Sequence, residues 1–295
     1  MRSTPRFTAL AAFCLAMLCA VPLRAQTPLP SIADKTRTME RRDGFLPVYW
    51  EAGTGRLWLE IPRTGQELIY VVSLPAGMGS NDIGLDRGQL GGERLVRFDR
   101  VGPRVLMVQP NQAYRVTTDN PAERRSVEES FAQSVLWGFE IKAETDGRVL
   151  VDATDFVLRD AHGVIPALKR ARQGDYKLDA SRSALYPQNT KAFPRNTEIE
   201  ATLTFTGDNP GGWVRDVTPT PEAISVRQRH SFVALPPPGY EPRRSDPRAG
   251  YFGIDYFDFS TPVGEEITQR FIARHRLEKR DPGAAVSEAV EPIVY

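Results

Sequence analysis

The stretch TEIEATLTFT, Thr197–Thr206, alternates polar and apolar residues with a period of two. Side chains along a β-strand point alternately to opposite faces, so this spacing predicts a strand with one face toward a core and the other toward solvent. The residues expected on the core face are Ile199, Ala201, Leu203 and Phe205. The stretch therefore predicts a sheet that is buried on one side.

Similar patterns recur on both sides of this stretch. Asp146-Gly147 separates Phe139–Thr145 from Arg148–Ala153, and Asp-Gly between two such runs is a strong short-range signal for a β-hairpin. For Ile267–Glu278 the spacing favours a strand over a helix. Further strands are predicted at Gly55–Ile61, Glu67–Leu74, Leu95–Asp99, Arg104–Gln109, Ala113–Thr117, Ala223–Leu235 and Tyr251–Phe259.

Two segments have helical patterns. Asn120 suits an N-cap, Pro121 suits the first helical position, and apolar residues then recur four apart, which predicts a helix over Asn120–Leu136. Ile165–Arg172 is expected to form a second, shorter helix. The chain is thus predicted to be mainly β, with an antiparallel sandwich or a barrel-like sheet and one or two short helices.

Residues 1–25 have the layout of a secretory signal peptide. Arg2 and Arg6 flank the start of an apolar segment, Phe7–Val21, and the small residue Ala25 precedes the expected cleavage point. A transmembrane anchor is the alternative, but the apolar segment is shorter than the roughly 20 residues that a helical span needs. We therefore expect an exported protein, periplasmic or extracellular, with no transmembrane segment after the signal peptide.

Composition excludes several classes of function. Both cysteines, Cys14 and Cys19, lie in the expected signal peptide, so the mature chain has no cysteine nucleophile, thiolate metal site or disulfide. Lys and Arg number 38 against 37 Asp and Glu, for a net charge of +1. Nucleic-acid binding needs clustered excess positive charge, so no nucleic-acid partner is expected.

The three histidines do not form a zinc site. His162, His230 and His275 are far apart in the sequence, and the chain contains no H-E-x-x-H motif. His230 falls on the same strand face as apolar residues, which predicts a hydrogen-bonded, partly buried side chain. His162 precedes a glycine in an expected turn and His275 lies between two arginines, so both are interpreted as structural or solvated.

The glycine-rich stretch Gly77–Gly92 invites comparison with a phosphate-binding loop. Gly77 and Gly79 give G-x-G, but Asp82 stands where the third glycine would be, and no Lys-Ser or Lys-Thr pair follows. Carboxylates beside the backbone amides disfavour an anion. Ser80 is not in a G-x-S-x-G elbow, so a hydrolase nucleophile is not predicted there. An ordered surface loop is the favoured interpretation.

Two groups of carboxylates could form a calcium site or a catalytic site. Asp152, Asp155 and Asp160 lack the spacing of a calcium-binding loop, so turn and helix-cap roles are favoured. Asp255 and Asp258 alternate with large apolar residues, and a half-buried strand explains them without chemistry, although an acid–base enzyme that uses this pair remains a hypothesis. No catalytic, cofactor-binding or metal-binding residue is predicted.

Four long segments are distinctive: Gly77–Asn111, Ser130–Ile141, Val151–Val164 and Leu178–Phe205. They resemble a region of bacterial secreted zinc-dependent metalloproteases of the zincin class. The resemblance extends from about Gly44 to Tyr295. In that family the region has no assigned function and lies ahead of the catalytic domain.

The resemblance implies a division of the chain into four parts. Residues 1–25 are the signal peptide, residues 26–42 a flexible lead-in that is polar, and residues 43–280 the β-rich N-terminal region of the metalloprotease family. Residues 281–295, which end in an apolar strand-like tip, are expected to be the start of a missing catalytic domain.

The zinc motif of that family is absent from this sequence, so the resemblance implies a non-catalytic chain. Zinc is expected only in the missing catalytic domain, where two histidines one helical turn apart bind the metal and a glutamate activates water. The expected partner is that catalytic domain, either in the same polypeptide (in cis) or in another one (in trans). This chain is expected to support or gate it. The alternative is a free-standing periplasmic β-sandwich that binds a ligand or a partner.

Overall fold

The computed structural model describes residues 28–293. The predicted signal peptide, with both cysteines, and the last two residues lie outside the described residues. Strand accounts for 40% and helix for 14% of the structure, which confirms the mainly β prediction, with five short helices rather than one or two. No helix in the described part is long and apolar enough to cross a membrane.

The secondary structure is as follows. The helices are α1 Ile32–Thr36, α2 Pro121–Ser130, α3 Thr154–Val157, α4 Val164–Arg170 and α5 Gly212–Val217, with 3₁₀ turns at Ala180–Arg182 and Pro187–Asn189. The strands are β1 Glu40–Arg42, β2 Val48–Glu51, β3 Arg56–Ile61, β4 Glu67–Ala76, β5 Arg94–Val101, β6 Arg104–Gln109, β7 Tyr114–Arg115, β8 Ser134–Thr145, β9 Arg148–Asp152, β10 Asp175–Leu178, β11 Ala184–Leu185, β12 Lys191–Phe193, β13 Asn196–Asp208, β14 Ala223–Ala234, β15 Arg243–Arg244, β16 Gly253–Asp258 and β17 Thr268–Ile272.

A large antiparallel sheet contains 13 of these strands. Its order is β1-β2-β3-β9-β8-β6-β5-β4-β14-β13-β10, and β11 and β12 also pair with β13. The strand predicted at Thr197–Thr206 is thus the middle of β13, which pairs with β14 along one edge and with three short strands in succession along the other. The predicted fold class is therefore confirmed in its barrel-like form.

The two ends of the sheet meet and nearly close a barrel. The backbone N–H of Phe45, between β1 and β2, donates to the carbonyl of Phe193 at 2.7 Å. The hydroxyl of Thr197 accepts from the backbone N–H of Leu46 at 3.0 Å and donates to the carbonyl of Leu46 at 2.9 Å. Arg42 adds side-chain hydrogen bonds to the carbonyls of Pro187 and Thr190. These contacts replace an exposed sheet edge with a seam.

Aromatic side chains fill the inside of the barrel. Phe156, on α3, lies with its ring centroid 5.3 Å from that of Phe139 and 5.8 Å from that of Tyr70. Phe98 and Phe232 complete the cluster at 6.3 Å from each other. All five side chains are buried. Four of them lie at inward-facing positions of the strands, and Phe156 lies on α3. The barrel interior is therefore a packed core.

A second sheet of four strands lies beside the barrel in the order β15-β17-β16-β7. For the segment Ile267–Glu278 the sequence favoured a strand over a helix. Strand β17, Thr268–Ile272, lies within this segment and confirms the prediction. The ring of Phe131, just after α2, stacks on Tyr114 of β7 at 3.7 Å between centroids. Tyr114 in turn stacks on Phe257 of β16 at 5.4 Å. An aromatic stack thus joins this sheet to α2.

The predicted helix over Asn120–Leu136 is correct at its start and wrong at its end. The Asn120 side chain accepts a hydrogen bond from the backbone N–H of Ala122 at 3.0 Å, as expected of an N-cap. The helix ends at Ser130, and β8 begins at Ser134. Pairing of β8 with β6 overrides the helical spacing, because it adds inter-strand hydrogen bonds to a barrel strand.

The predicted flexible lead-in over residues 26–42 instead contains α1 and β1. Ser31 caps α1, and the backbone N–H of Ile32 donates to the Thr145 hydroxyl at 3.0 Å. Ile32 is buried on the outside of the barrel with four residues of the sheet: Tyr49, Trp58, Ala143 and Leu150. The prediction failed because a five-residue helix presents too few apolar positions to show a period.

The predicted hairpin at Asp146-Gly147 is confirmed. Asp146 has φ 51° and Gly147 has φ 78°, the left-handed pair that a tight hairpin turn requires. The second predicted helix, Ile165–Arg172, is also confirmed as α4.

Replacing Thr197 with valine tests the seam. Thr197→Val keeps the volume but leaves the buried N–H and C=O of Leu46 without partners, so we expect the free energy of unfolding to fall by about 3 kcal/mol in urea titrations. Thr197→Ser, which keeps the hydroxyl, and Thr202→Val, on the same strand but half-buried, are the controls. An equal loss in Thr197→Val and Thr202→Val contradicts a closing role for this hydroxyl.

Candidate functional site

The most polar part of the barrel interior surrounds His230. Its ring is fully buried on β14, with Nδ1 2.8 Å from the hydroxyl of Tyr70 and Nε2 3.1 Å from the carbonyl of Val157. Nε2 also lies 2.9 Å from the side-chain amide nitrogen of Gln228, so its two neighbours are an acceptor, the Val157 carbonyl, and a donor, the Gln228 amide. Both ring nitrogens are therefore used inside the fold, and the predicted hydrogen-bonded histidine is confirmed.

Gln228, two residues before His230, ties the barrel to the segment after α3. Its side-chain carbonyl accepts from the backbone N–H groups of Ala161 and His162 at 3.0 and 2.8 Å. Its amide donates to the carbonyl of Arg159 at 3.0 Å. The side chain is fully buried, so these bonds satisfy its donors and acceptor where water does not reach.

Arg159 places a positive charge beside this network. Its guanidinium lies 4.7 Å from the ring centroid of Phe156 and 5.6 Å from that of Trp137, and it donates to the Tyr70 hydroxyl at 3.4 Å. Its Nε and the Nδ1 of His162 are buried without a hydrogen-bond partner among the described residues. Cation–π contact with the two rings stabilises the charge in place of a carboxylate.

These surroundings set the ionisation of the network. Burial, and then the charge of Arg159, lower the pKa of His230 to about 3. Burial raises the pKa of Tyr70 to about 12, and burial lowers the pKa of the half-buried His162. His162 and His230 are therefore neutral and Tyr70 is protonated at neutral pH, which suits a structural network.

A second polar cluster lies on the outer face of β13. Glu200 is fully buried, and its carboxylate accepts from Arg229 at 2.8 Å and from Asn189 at 3.1 Å. Arg227 lies 3.8 Å away and stacks over the ring of Tyr186 at 4.1 Å. The segment around the second 3₁₀ turn covers Glu200, so this acid is paired and closed to solvent.

The surface between the barrel and the small sheet contains two clefts. One, of about 660 Å³, has a mixed lining, in which Leu95 and Leu235 of the barrel part and Ile254 of β16 are apolar. Polar residues, among them Arg94 and Arg115, make up the other half of the lining. The other, of about 350 Å³, lies between α2 and the barrel.

Residues 88–280 match the family described as a domain of unknown function, DUF5117. The chain belongs to this family. No curated protein and no solved structure matches it. The DUF5117 match begins after β4, although β4 pairs with β5 and β14 in the middle of the barrel sheet. Residues ahead of the match therefore complete the barrel of this DUF5117 chain.

Two of the three aspartates considered as a calcium site, Asp152 and Asp160, accept hydrogen bonds from nearby backbone groups. Asp160 accepts from the backbone N–H groups of Gly163, Val164 and Ile165 at 2.8–3.0 Å and so caps α4. Asp152 accepts from the backbone N–H of Thr154 at 2.9 Å and pairs with an arginine. The favoured turn and cap roles are thus confirmed for these two residues. Asp155 lies in the first turn of α3.

Asp255 and Asp258 do not form a carboxylate pair. They are three residues apart on β16 and therefore point to opposite faces of the small sheet. Asp258 accepts from the backbone N–H of Ser260 at 3.0 Å and binds its hydroxyl. A strand is confirmed here, but it is not half-buried, since four of the six residues of β16 are exposed. The acid–base hypothesis is not supported, because the two carboxylates lie on opposite faces of the sheet.

The glycine-rich stretch forms an ordered loop that folds back on β4. Met78 donates to the carbonyl of Leu85, and Leu74 donates to the carbonyl of Gln89. A Cβ on Gly77 would lie 2.2 Å from the carbonyl oxygen of Leu85, so this glycine is required by close packing.

His275 is exposed. In residues 28–293 no three His, Cys, Asp or Glu residues are grouped closely enough to hold a metal ion.

The neutral state of His230 predicts a pH dependence of stability. The unfolded chain binds a proton near pH 6.5 and the folded chain only near pH 3, so between these values the unfolded state holds more protons and stability falls with falling pH. We expect this group to contribute a slope of about 1.4 kcal/mol per pH unit.

Urea unfolding over this pH range measures the slope. His230→Gln is expected to be less stable at pH 7, and its free energy of unfolding is expected to fall less steeply with falling pH. His275→Gln, at the exposed histidine, is expected to keep the pH dependence of the unmodified chain. An unchanged slope in His230→Gln contradicts the assignment.

Proposed function

We propose that this chain is an exported, non-catalytic module that packs against the catalytic domain of a zinc metalloprotease of the zincin class and supports or gates it. Three findings support the proposal. The segments Gly77–Asn111 and Leu178–Phe205 resemble the region ahead of such catalytic domains, the chain belongs to the DUF5117 family, and its exposed apolar side chains concentrate after residue 250.

The observation that carries the proposal is a set of exposed apolar side chains on the last described segment, which we call the tail surface. Its members are Leu277, Val286, Val290 and Ile293, and Val286 is 90% exposed. Arg280 and Glu288 form an ion pair at 2.5 Å, and Lys279 and Ala289 form a β-bridge, so the segment has a defined conformation. Apolar side chains presented on an ordered segment are typical of a surface that another protein covers.

The barrel suits the role of a scaffold for this surface. Its interior is filled by aromatic rings, and both nitrogens of His230 are used in internal hydrogen bonds. A rigid barrel beside the tail surface presents that surface in a fixed position, which lowers the entropic cost of docking. In this proposal zinc belongs to the partner, where it activates water, and this chain contributes binding and positioning.

A free-standing periplasmic binding module is the second candidate. The cleft of about 660 Å³ supports it, because its volume is that of a small-molecule site and it combines apolar residues such as Leu95 and Leu235 with the charged residues Arg94 and Arg115. In that case the ligand binds between the barrel and the small sheet, and the tail surface is not required.

Binding to a catalytic domain separates the two candidates. The partner to use is the catalytic domain of a zincin-class protease whose own chain carries a DUF5117 region, and calorimetry measures the affinity. Val286→Asp combined with Val290→Asp is expected to weaken binding at least tenfold, about 1.4 kcal/mol or more, because charge is placed in an apolar contact.

The matched control adds two carboxylates away from the tail surface. Leu90→Asp in the glycine-rich loop, combined with Val101→Asp at the end of β5, is expected to leave the affinity unchanged, since the two side chains are 72% and 57% exposed. No binding by the unmodified chain, or equal loss in both variants, overturns the proposal. Binding of a small molecule that is lost in Leu95→Asp, with no affinity for the catalytic domain, favours the second candidate.

A further inference from the structure

The small sheet presents exposed apolar side chains at two opposite ends. Tyr251 and Phe252, just before β16, are 72% and 92% exposed, and we call them the Phe252 tip. Val263, in the connection from β16 to β17, is fully exposed. The backbone N–H of Ala273, just after β17, donates to the carbonyl of Phe252 at 2.9 Å, so the Phe252 tip lies where β16 begins and β17 ends. Val263 therefore lies at the other end of the sheet.

The Phe252 tip lies in positively charged surroundings. Three arginines at this end of the sheet form no ion pair with a carboxylate in residues 28–293: Arg243, Arg244 and Arg274. A fourth, Arg248, pairs with Asp246 at 2.6 Å. Residues 239–252 together with Arg274 contain these four arginines and two acids, which gives a net charge of +2.

The surroundings of Val263 have the opposite charge. Glu265 and Glu266 follow it closely in the chain, and Arg270 pairs with Glu266 at 2.6 Å. Asp258, at the end of β16, is a further acid at this end of the sheet. The two ends are therefore alike in exposing apolar side chains and differ in the charge beside them.

The shape and charge of the Phe252 tip suit a lipid surface. An exposure of 92% means that the Phe252 side chain protrudes and has few contacts within its own chain. A protein partner needs a pocket matched to such a protruding ring, whereas the boundary between lipid head groups and acyl chains deforms around it. Aromatic side chains are enriched at that boundary, and neighbouring arginines are attracted to anionic lipids.

We propose that the Phe252 tip inserts into the surface of a membrane that contains anionic phospholipids, while Arg243, Arg244 and Arg274 contact the head-group phosphates. The contact is peripheral, with the rings at the depth of the head groups and the small sheet outside. The inference goes beyond the proposed function and uses a different surface from the tail surface.

The arginines are held in place but keep free donors. The guanidinium of Arg274 lies 5.5 Å from the ring of Tyr240 and donates to the carbonyl of Glu241 at 2.8 Å. Arg244 donates to the side chain of Gln269 at 3.0 Å. Each guanidinium has five N–H groups, so most of them remain for phosphate oxygens, which arginine binds with two parallel hydrogen bonds.

The proposed attachment is weak, reversible and dependent on salt. Two inserted rings supply the apolar part of the binding, and three arginines supply the electrostatic part. The electrostatic part is screened by added salt, because charges in solution act over only about 10 Å at 0.1 M. We therefore expect binding that requires anionic lipid and weakens as the salt concentration rises.

Co-sedimentation with lipid vesicles tests the attachment. The exported chain, purified without the predicted signal peptide, is mixed with vesicles of phosphatidylglycerol or of phosphatidylcholine. We expect at least about tenfold tighter binding to the anionic vesicles. Phe252→Ser, and Arg243→Gln combined with Arg244→Gln, are each expected to weaken that binding at least about tenfold.

The matched controls make the same changes elsewhere. Val263→Ser removes an equally exposed apolar side chain at the other end of the sheet. Arg124→Gln combined with Arg125→Gln removes an adjacent pair of exposed arginines from α2. Both are expected to leave vesicle binding unchanged. Val286→Asp combined with Val290→Asp is also expected to leave it unchanged, which separates this proposal from docking of a catalytic domain.

A fluorescent label that responds to polarity tests which end of the sheet inserts. Without the signal peptide the chain has no cysteine, so Phe252→Cys or Val263→Cys introduces the single labelling site. With phosphatidylglycerol vesicles we expect the emission of a nitrobenzoxadiazole label to shift to shorter wavelength at position 252 and to stay unchanged at position 263.

No binding to phosphatidylglycerol vesicles, or equal binding to both lipids, overturns the proposal. So does equal loss in Phe252→Ser and Val263→Ser, or an equal shift of the two labels. Loss of catalytic-domain binding in Phe252→Ser, with no vesicle binding by the unmodified chain, assigns the tip to that protein partner and also overturns the proposal.

Discussion

The double hydrogen bond between the Thr197 hydroxyl and the backbone of Leu46 is the contact on which the rest of the structure depends. It joins the segment between β1 and β2 to β13, near the other end of the strand order, so that the sheet encloses a core. A sheet that closes on itself lets one set of inward side chains pack on all sides. Closure therefore determines how the interior of the barrel is filled.

Closure also determines what chemistry the interior permits. Phe156 on α3 and the rings around it exclude water, so each polar group among them requires a partner inside the protein. His230 meets this condition as a neutral ring between Tyr70 and Val157. A histidine held in this way has no free nitrogen for a metal or a proton transfer, so function is expected at the periphery.

The periphery differs in character from the barrel. Exposed large apolar residues are more concentrated in the small sheet and the segment after it than in the barrel. The aromatic stack of Phe131, Tyr114 and Phe257 joins this part to α2. The docking that we propose depends on the exposed apolar residues of the tail surface.

Local signals predicted those elements whose pattern is visible over a few residues. The period of two found β13 and β14, and Asp-Gly found the hairpin between β8 and β9, because both depend on neighbours in sequence. The end of α2 was missed because pairing of β8 with β6 decides it. Glu200 lies on the polar face of β13 and was expected to be exposed, but the 3₁₀ segment that buries it has no period of its own.

The candidate site was less predictable than the fold for the same reason. His230 was identified as a buried, hydrogen-bonded residue from its position on an apolar strand face. Its partners Tyr70 and Val157 are 160 and 73 residues away in sequence, and no local spacing connects them.

Hydrogen–deuterium exchange of the chain with and without a zincin-class catalytic domain tests most directly the claim that function lies outside the barrel. The account predicts that the partner slows exchange in residues 277–293 and leaves β13 and β14 unchanged. Slowed exchange confined to barrel strands or to the loop Gly77–Gly92, with residues 277–293 unaffected, would contradict it.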